Sequence, residues 1–196
     1  MFKSKKATSI VEVMVIMLII VVGTVGMYSI FGQGQKLSIT TSNRIQAIQI
    51  SREGLEAMIN IRDSNYLLYS ANYKDCWNTI NYDTNCVSGT PNNIRAGSYK
   101  IFQGNDSKWY LSGFSSGLYS DTTYRNNFKV GIDSNGLYTQ SGGTDTKPLF
   151  TREIKVSYPQ TDEMKLTSLV QWTDSSKQGA LKVELSTTIT NFKNKN

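Results

Sequence analysis

Histidine is absent from the chain, cysteine occurs twice, proline three times, and only 18% of the residues are charged. Without histidine there is no Ser-His-Asp or Cys-His nucleophile, and two cysteines are too few to build a His- or Cys-based metal centre. A catalytic reading is left with Asp and Glu alone. These are scattered, and the adjacent pair Asp162 and Glu163 reads as a solvated turn between strands. The expectation is a chain that is not an enzyme and has no cofactor. No proline precedes Pro91, so nothing of that kind interrupts a helix in the first part of the sequence.

Charge is also missing from residues 10–31, IVEVMVIMLIIVVGTVGMYSIF, which hold no basic residue and a single acid, Glu12. As a helix this run reaches about 33 Å, enough to span a bilayer. Lys3, Lys5 and Lys6 stand just before it, so the positive-inside rule keeps the N-terminus in the cytoplasm and sends everything after Phe31 across. Removing those lysines halves the net charge of +6, which makes the basic balance partly a targeting feature and weak support for a nucleic-acid partner. The rest of the 196 residues, in a chain that is 39% hydrophobic, is enough for one ordinary domain with a core.

Glu12 needs a partner, because an acid in a membrane helix costs on the order of 2–3 kcal/mol at mid-bilayer, and an anchor gains nothing from it. Two partners are available. In a capping box, Ser9-Ile10-Val11-Glu12, the carboxylate reaches back to the first amides of its own helix. Alternatively, cleavage after Ala7 makes Thr8 a new N-terminus, whose amine on a neighbouring subunit can pair with Glu12 in apolar surroundings.

The stretch KKATSIVEVMVIMLII resembles the class III signal of type IV prepilins and type II secretion pseudopilins, which has a short basic leader, a small residue before the cut, and Glu at the fifth mature position. Ala7 stands where most of the family has Gly, Thr8 where most have Phe, and Glu12 falls on the fifth mature position. The resemblance implies cleavage between Ala7 and Thr8 by a prepilin peptidase, methylation of the Thr8 amine, and a registry role for Glu12. Implied partners are other pilin subunits, the membrane, the peptidase, and an assembly platform with its ATPase. The precursor would sit in the cytoplasmic membrane and the assembled filament at the cell surface. Gly23, Gly26, Gly32 and Gly34 each weaken a helix by about 1 kcal/mol relative to alanine and are candidates for melting or extension during assembly. Close helix packing is the other use of Gly23 and Gly26.

Two other functions use the same N-terminus. A secretory signal peptide would be cut after the apolar run, near Thr24-Val25-Gly26, although Glu12 sits badly inside its apolar region. An uncleaved signal anchor would make the chain a monomeric, membrane-anchored binding or adhesion module. Neither explains why the helical pattern continues. Thr41, Ile45, Ile48, Leu55, Met58 and Ile59 recur at three- or four-residue steps, so an amphipathic helix is expected to about residue 62, about 80 Å in all. The segment REGLEAMINIRDSNY, Arg52 to Tyr66, together with Phe150-Thr151-Arg152, Val170-Gln171-Trp172 and TTITNFK from Thr187, is similar to stretches in minor pilins and pseudopilins of candidate-phylum bacteria.

Residues 63–103 are rich in Tyr, Asn and Ser and read as irregular connection, with a short helix near 64–70. Cys76 and Cys86 lie within it. Outside the membrane a disulfide between them would contribute about 2–3 kcal/mol, whereas a reducing compartment would leave two free thiols. The aromatics from Tyr66 to Tyr82, with Trp77, either pack around this loop or stand exposed for adhesion or for stacking on single-stranded DNA. Strands are expected at 98–103, 108–111, 128–132 and 137–140, the last two joined by a tight turn at Asp133-Ser134-Asn135-Gly136. A calcium loop there lacks the distal Glu. Clearer alternation marks 151–158, 164–173 and 180–192, with Leu166, Val170 and Trp172 on one face and Leu181, Val183, Leu185, Thr187 and Ile189 on the matching row.

The expected architecture is α+β: a long helical spine, transmembrane in its first half and amphipathic in its second, packed on a C-terminal antiparallel meander. Its parts are a leader at 1–7, a membrane or filament-core helix at 8–31, the amphipathic continuation at 32–62 and a β-rich head at 63–196.

Overall fold

A computed structural model of the chain describes residues 10–174 and 179–195. The fold class is as expected: a long N-terminal helix and a C-terminal antiparallel sheet. Helix α1 runs from Ile10 to Leu68 without a break. It therefore continues past residue 62 through the stretch expected to start a separate short helix. The chain divides into two compact units, with Ser42 ending the first and Asn43 starting the second.

The second unit begins with the later part of α1, which lies on a five-stranded sheet. Its strands are β1 (Gly97–Gln103), β2 (Trp109–Phe114), β6 (Thr151–Gln160), β7 (Glu163–Thr173) and β8 (Ala180–Thr190). Their order is β2-β1-β6-β7-β8 and every pairing is antiparallel. Only β6 to β8 form the expected meander; β1 enters beside β6 by a long-range pairing. Between β2 and β6 the chain inserts α4 (Thr122–Phe128) and a small sheet of β3 (Gly131–Ile132), β4 (Tyr138–Thr139) and β5 (Thr144–Asp145). The strand expected at 128–132 is thus shortened to β3, because Phe128 ends α4, a helix started by Asp121, whose carboxylate accepts from Thr123 N at 2.8 Å. The turn after β3 forms as expected. Asp133 accepts from Asn135 N and Leu137 N, and Gly136 supplies the positive φ of +80°.

Which helix face is buried differs from the sequence expectation. Leu55 and Met58 are in the core, Ile48 and Ile59 flank it, and Thr41 and Ile45 are exposed. The stripe against the sheet is instead built on small residues, Ala47, Ser51, Gly54 and Ala57, with Ile50 and Ile61. Close approach is the reason. A Cβ on Gly54 would lie 2.8 Å from Ile154 Cδ1 and 3.0 Å from Arg152 Cδ.

The interface has two apolar clusters with a polar layer between them. One gathers Leu55, Met58, Ile61, Ile154, Val156 and Leu166. The other gathers Ala47, Ile50, Phe150, Val170, Trp172 and Val183. Along α1, β6 and β7 the residues separating the clusters are Ser51 to Gly54, Arg152 and Ser168. Ser51 Oγ donates to the Ser168 carbonyl at 3.1 Å.

After α1 come α2 (Tyr73–Cys76), a 3₁₀ turn (Ile80–Tyr82) and α3 (Asn85–Ser88), joined by the disulfide Cys76–Cys86. Tyr66 and Trp77 are buried, at 4% and 3% exposure, so they are core residues here and not stacking platforms. Asn65 ties the loop to the helix, its side-chain amide donating to the carbonyls of Trp77 and Thr79.

Candidate functional site

The expected cleavage pair, Ala7 and Thr8, lies outside the described residues, as does Ser9 of the capping box. Glu12 is in the first turn of α1 and is exposed. Around it the surface is apolar on every side of the helix. Ile10 is 80% exposed, Tyr28 79%, and the large aliphatic residues between them are all exposed. Among the described residues this is the one helix long and apolar enough to cross a membrane, and none of its apolar window is buried. Such a surface is compatible with a membrane anchor or a signal segment.

Gly23, Gly26, Gly32 and Gly34 are helical, and a Cβ at any of them would meet open space. Nothing among the described residues calls for glycine there.

A second site was not foreseen from the sequence. The Arg152 guanidinium is fully buried and makes four hydrogen bonds. It donates to Glu53 Oε1 at 2.9 Å, the Ile101 carbonyl at 2.9 Å, Gln140 Oε1 at 3.1 Å and the Ile50 carbonyl at 3.2 Å. Burial pushes the Arg152 pKa down from its ordinary value, and the Glu53 carboxylate beside it pulls it back up. Two of the segments quoted for the pilin resemblance, one holding Glu53 and one holding Arg152, therefore meet in an ion pair.

Gln140 closes a gap next to it. The β1–β6 ladder ends at Tyr99↔Ile154, and beyond it the Gln140 amide takes the place of backbone. It accepts from Ile101 N at 3.1 Å and donates to the Arg152 carbonyl at 2.7 Å and the Phe128 carbonyl at 2.8 Å. Asn81 does the same at the outer edge of β2, accepting from Leu111 N at 2.8 Å and donating to its carbonyl at 3.1 Å. Leu111 is the register partner of Ile101, so both amides extend one row of the sheet.

On the other face, Tyr124 of α4 donates to the buried Glu153 Oε2 at 2.9 Å. Burial, and then the Glu153 carboxylate, raise the Tyr124 pKa far above the usual phenol range. No known protein family matches the chain, and no curated protein or solved structure matches it either. The described residues hold no group of three or more His, Cys, Asp or Glu that could bind a metal ion. Asp162 and Glu163 sit at the β6–β7 turn, as expected.

Proposed function

We propose that the chain is a structural subunit of the type IV pilin or pseudopilin kind, held in the membrane as a precursor and polymerised through its N-terminal helix. The observation that carries this reading is the combination in α1 of a wholly exposed apolar stretch, broken by a single acid at Glu12, with a later stretch buried on the sheet. A membrane anchor needs the apolar stretch alone. A carboxylate near its start has a use once a neighbouring subunit brings a positive amine to it.

The mechanism follows in order. Lys3, Lys5 and Lys6 hold the N-terminus on the cytoplasmic side. A prepilin peptidase cuts between Ala7 and Thr8, and the new Thr8 amine, methylated in this family's manner, pairs with Glu12 of an adjacent copy. Apolar helices then bundle away from lipid, and an ATPase-driven platform supplies the work. Heads anchored by the later part of α1 decorate the outside, each closed by the Cys76–Cys86 bond.

Two measurements test it. Intact-mass analysis of the mature protein should give a chain starting at Thr8, and electron microscopy of sheared surface material should show filaments containing it. Glu12→Ala should still insert in the membrane but fail to enter filaments. A mature protein that keeps its leader and forms no filaments would leave the monomeric anchored module as the better account. Normal assembly of Glu12→Ala would remove the registry role.

A further inference from the structure

The two edges of the five-stranded sheet differ. At β2 the edge is closed by Asn81, which accepts from Leu111 N and donates to its carbonyl. At β8 the edge is open: among the described residues, β7 is the only strand that pairs with it. All 11 residues of β8 are in register with β7 from Ala180 to Thr190 without a shift, and none is proline. By contrast, β6 carries Pro159 and an irregularity between Ser157 and Gln160. A regular edge strand leaves alternate N–H and C=O groups ready to pair with another strand.

The side chains of β8 say which strand fits. Toward α1, Val183 is buried, whereas Leu181 and Leu185 pack at the margin of the core and stay half-buried. On the opposite face the Lys182 and Glu184 side chains are 65% and 54% exposed, with Nζ 3.9 Å from Oε2. Consider an antiparallel partner related by a two-fold axis at Val183. Lys182 then lies opposite Glu184 of the second copy, twice by symmetry, and Leu181 lies opposite Leu185 of the second copy, also twice. Charges are matched on one face, and the apolar row continues across the junction on the other. A two-fold at Leu185 instead sets Lys182 against Thr188 and Glu184 against Ser186, with no ion pair.

We propose that β8 is a self-association edge, through which two copies of this chain join antiparallel about Val183 into one continuous sheet. The later part of α1 runs along β6, with Ile50 beside Arg152 and Gly54 beside Ile154, and β8 runs the same way as β6. The pair therefore joins heads that point in opposite directions. This contact is separate from polymerisation through the apolar part of α1, and it stands or falls independently of that reading.

Sedimentation of the full chain in detergent, up to about 1 mM, should show a reversible dimer. Lys182→Glu and Glu184→Lys each place two like-charge pairs at the junction and should weaken it by about tenfold or more, with thermal melting unchanged because both side chains are exposed. The double variant Lys182→Glu/Glu184→Lys restores the opposite pairing and should dimerise like the parent. Mixing the two single variants is the decisive arm, since one copy then presents two acids and the other two lysines. The mixture should sediment as a dimer at concentrations where each variant alone is a monomer. A chain that stays monomeric throughout, dimers equally stable in every variant (the result expected of contact through α1 alone), or a mixture no more dimeric than its components would each overturn the proposal.

Discussion

Removing the Glu53 carboxylate should destabilise the head far more than its partly exposed position suggests. The Arg152 side chain has 0% exposure and that of Glu53 has 30%, so the two ends of the pair differ in their access to water. In Glu53→Ala the guanidinium keeps three neutral acceptors, the Ile50 and Ile101 carbonyls and Gln140 Oε1, but no negative charge and no solvent. Breaking a buried pair from one side costs about 3–5 kcal/mol, and the three remaining hydrogen bonds place this case near the lower end, at about 3 kcal/mol. Arg152→Met leaves Glu53 free to turn to water, so its cost comes from the stranded Ile101 carbonyl and Gln140, about 2 kcal/mol. In the double variant no buried charge is left over, and its loss should fall short of the sum by at least about 1.5 kcal/mol. Urea unfolding of the full chain in detergent, followed by tryptophan fluorescence, reads all four corners of this cycle. If Glu53→Ala lies within about 0.5 kcal/mol of the parent, or the cycle is additive, the pair is not what holds the helix to the sheet.

Gln140→Ala should cost about 2–4 kcal/mol, because it strands Ile101 N and the carbonyls of Arg152 and Phe128, and amide exchange at Ile101 should speed up with it. Replacing Cys76 and Cys86 by alanine should lower stability by about 2–3 kcal/mol in denaturant titrations, as expected for a loop closed over 10 residues. Gly54→Ala should cost about 1–3 kcal/mol despite its better helix propensity, since the new methyl meets Ile154 and Arg152; a stabilised variant in a thermal melt would show that the helix can retreat. At alkaline pH, Tyr124, Tyr158 and Tyr66 have folded pKa values raised mainly by burial, so their stabilisation is complete below about pH 10 and is lost as pH rises beyond it. Absorbance of tyrosinate should then climb together with loss of the circular dichroism signal, and a phenolate titration that is complete while the fold persists would contradict the burial argument.

What could be read from the sequence was what repeats at short range. The apolar run of α1 and the alternation in β6, β7 and β8 each show within a dozen residues, and the structure has the three strands within two residues of the expected limits, while the helix runs on to Leu68. The Cys76–Cys86 bond was one of the two states expected for this pair, and the structure has it. The entry of β1 beside β6 did not, because that pairing joins Tyr99 to Ile154 and nothing local at either residue marks it. Helix α4 was overlooked although a signal existed: Asp121 before Thr122 and Thr123 is an N-cap, but Phe128 and Val130 suggested a strand. The buried face of α1 differs from the stripe of large aliphatic residues, with Thr41 and Ile45 left exposed. At a close helix–sheet contact, small ones mark the face.

The polar layer was invisible for a deeper reason. Asn81 looks like an ordinary loop residue, Gln140 like the last residue of a strand, and Glu53 and Arg152 like solvated charges on a helix and a strand. Only the register that brings them together gives them partners. That register is also what they fix. The two apolar clusters would tolerate α1 sliding along the sheet, since one aliphatic contact resembles another, whereas a slide of one turn, about 5.4 Å, would separate Ser51 from Ser168 and Glu53 from Arg152. It would also bring a residue with a Cβ over Ile154, where Gly54 now fits. A hydrophobic layer of the same volume could match the stability. It would not hold the helix at one position on the sheet, which is what the hydrogen bond of Ser51 and the ion pair of Glu53 with Arg152 do.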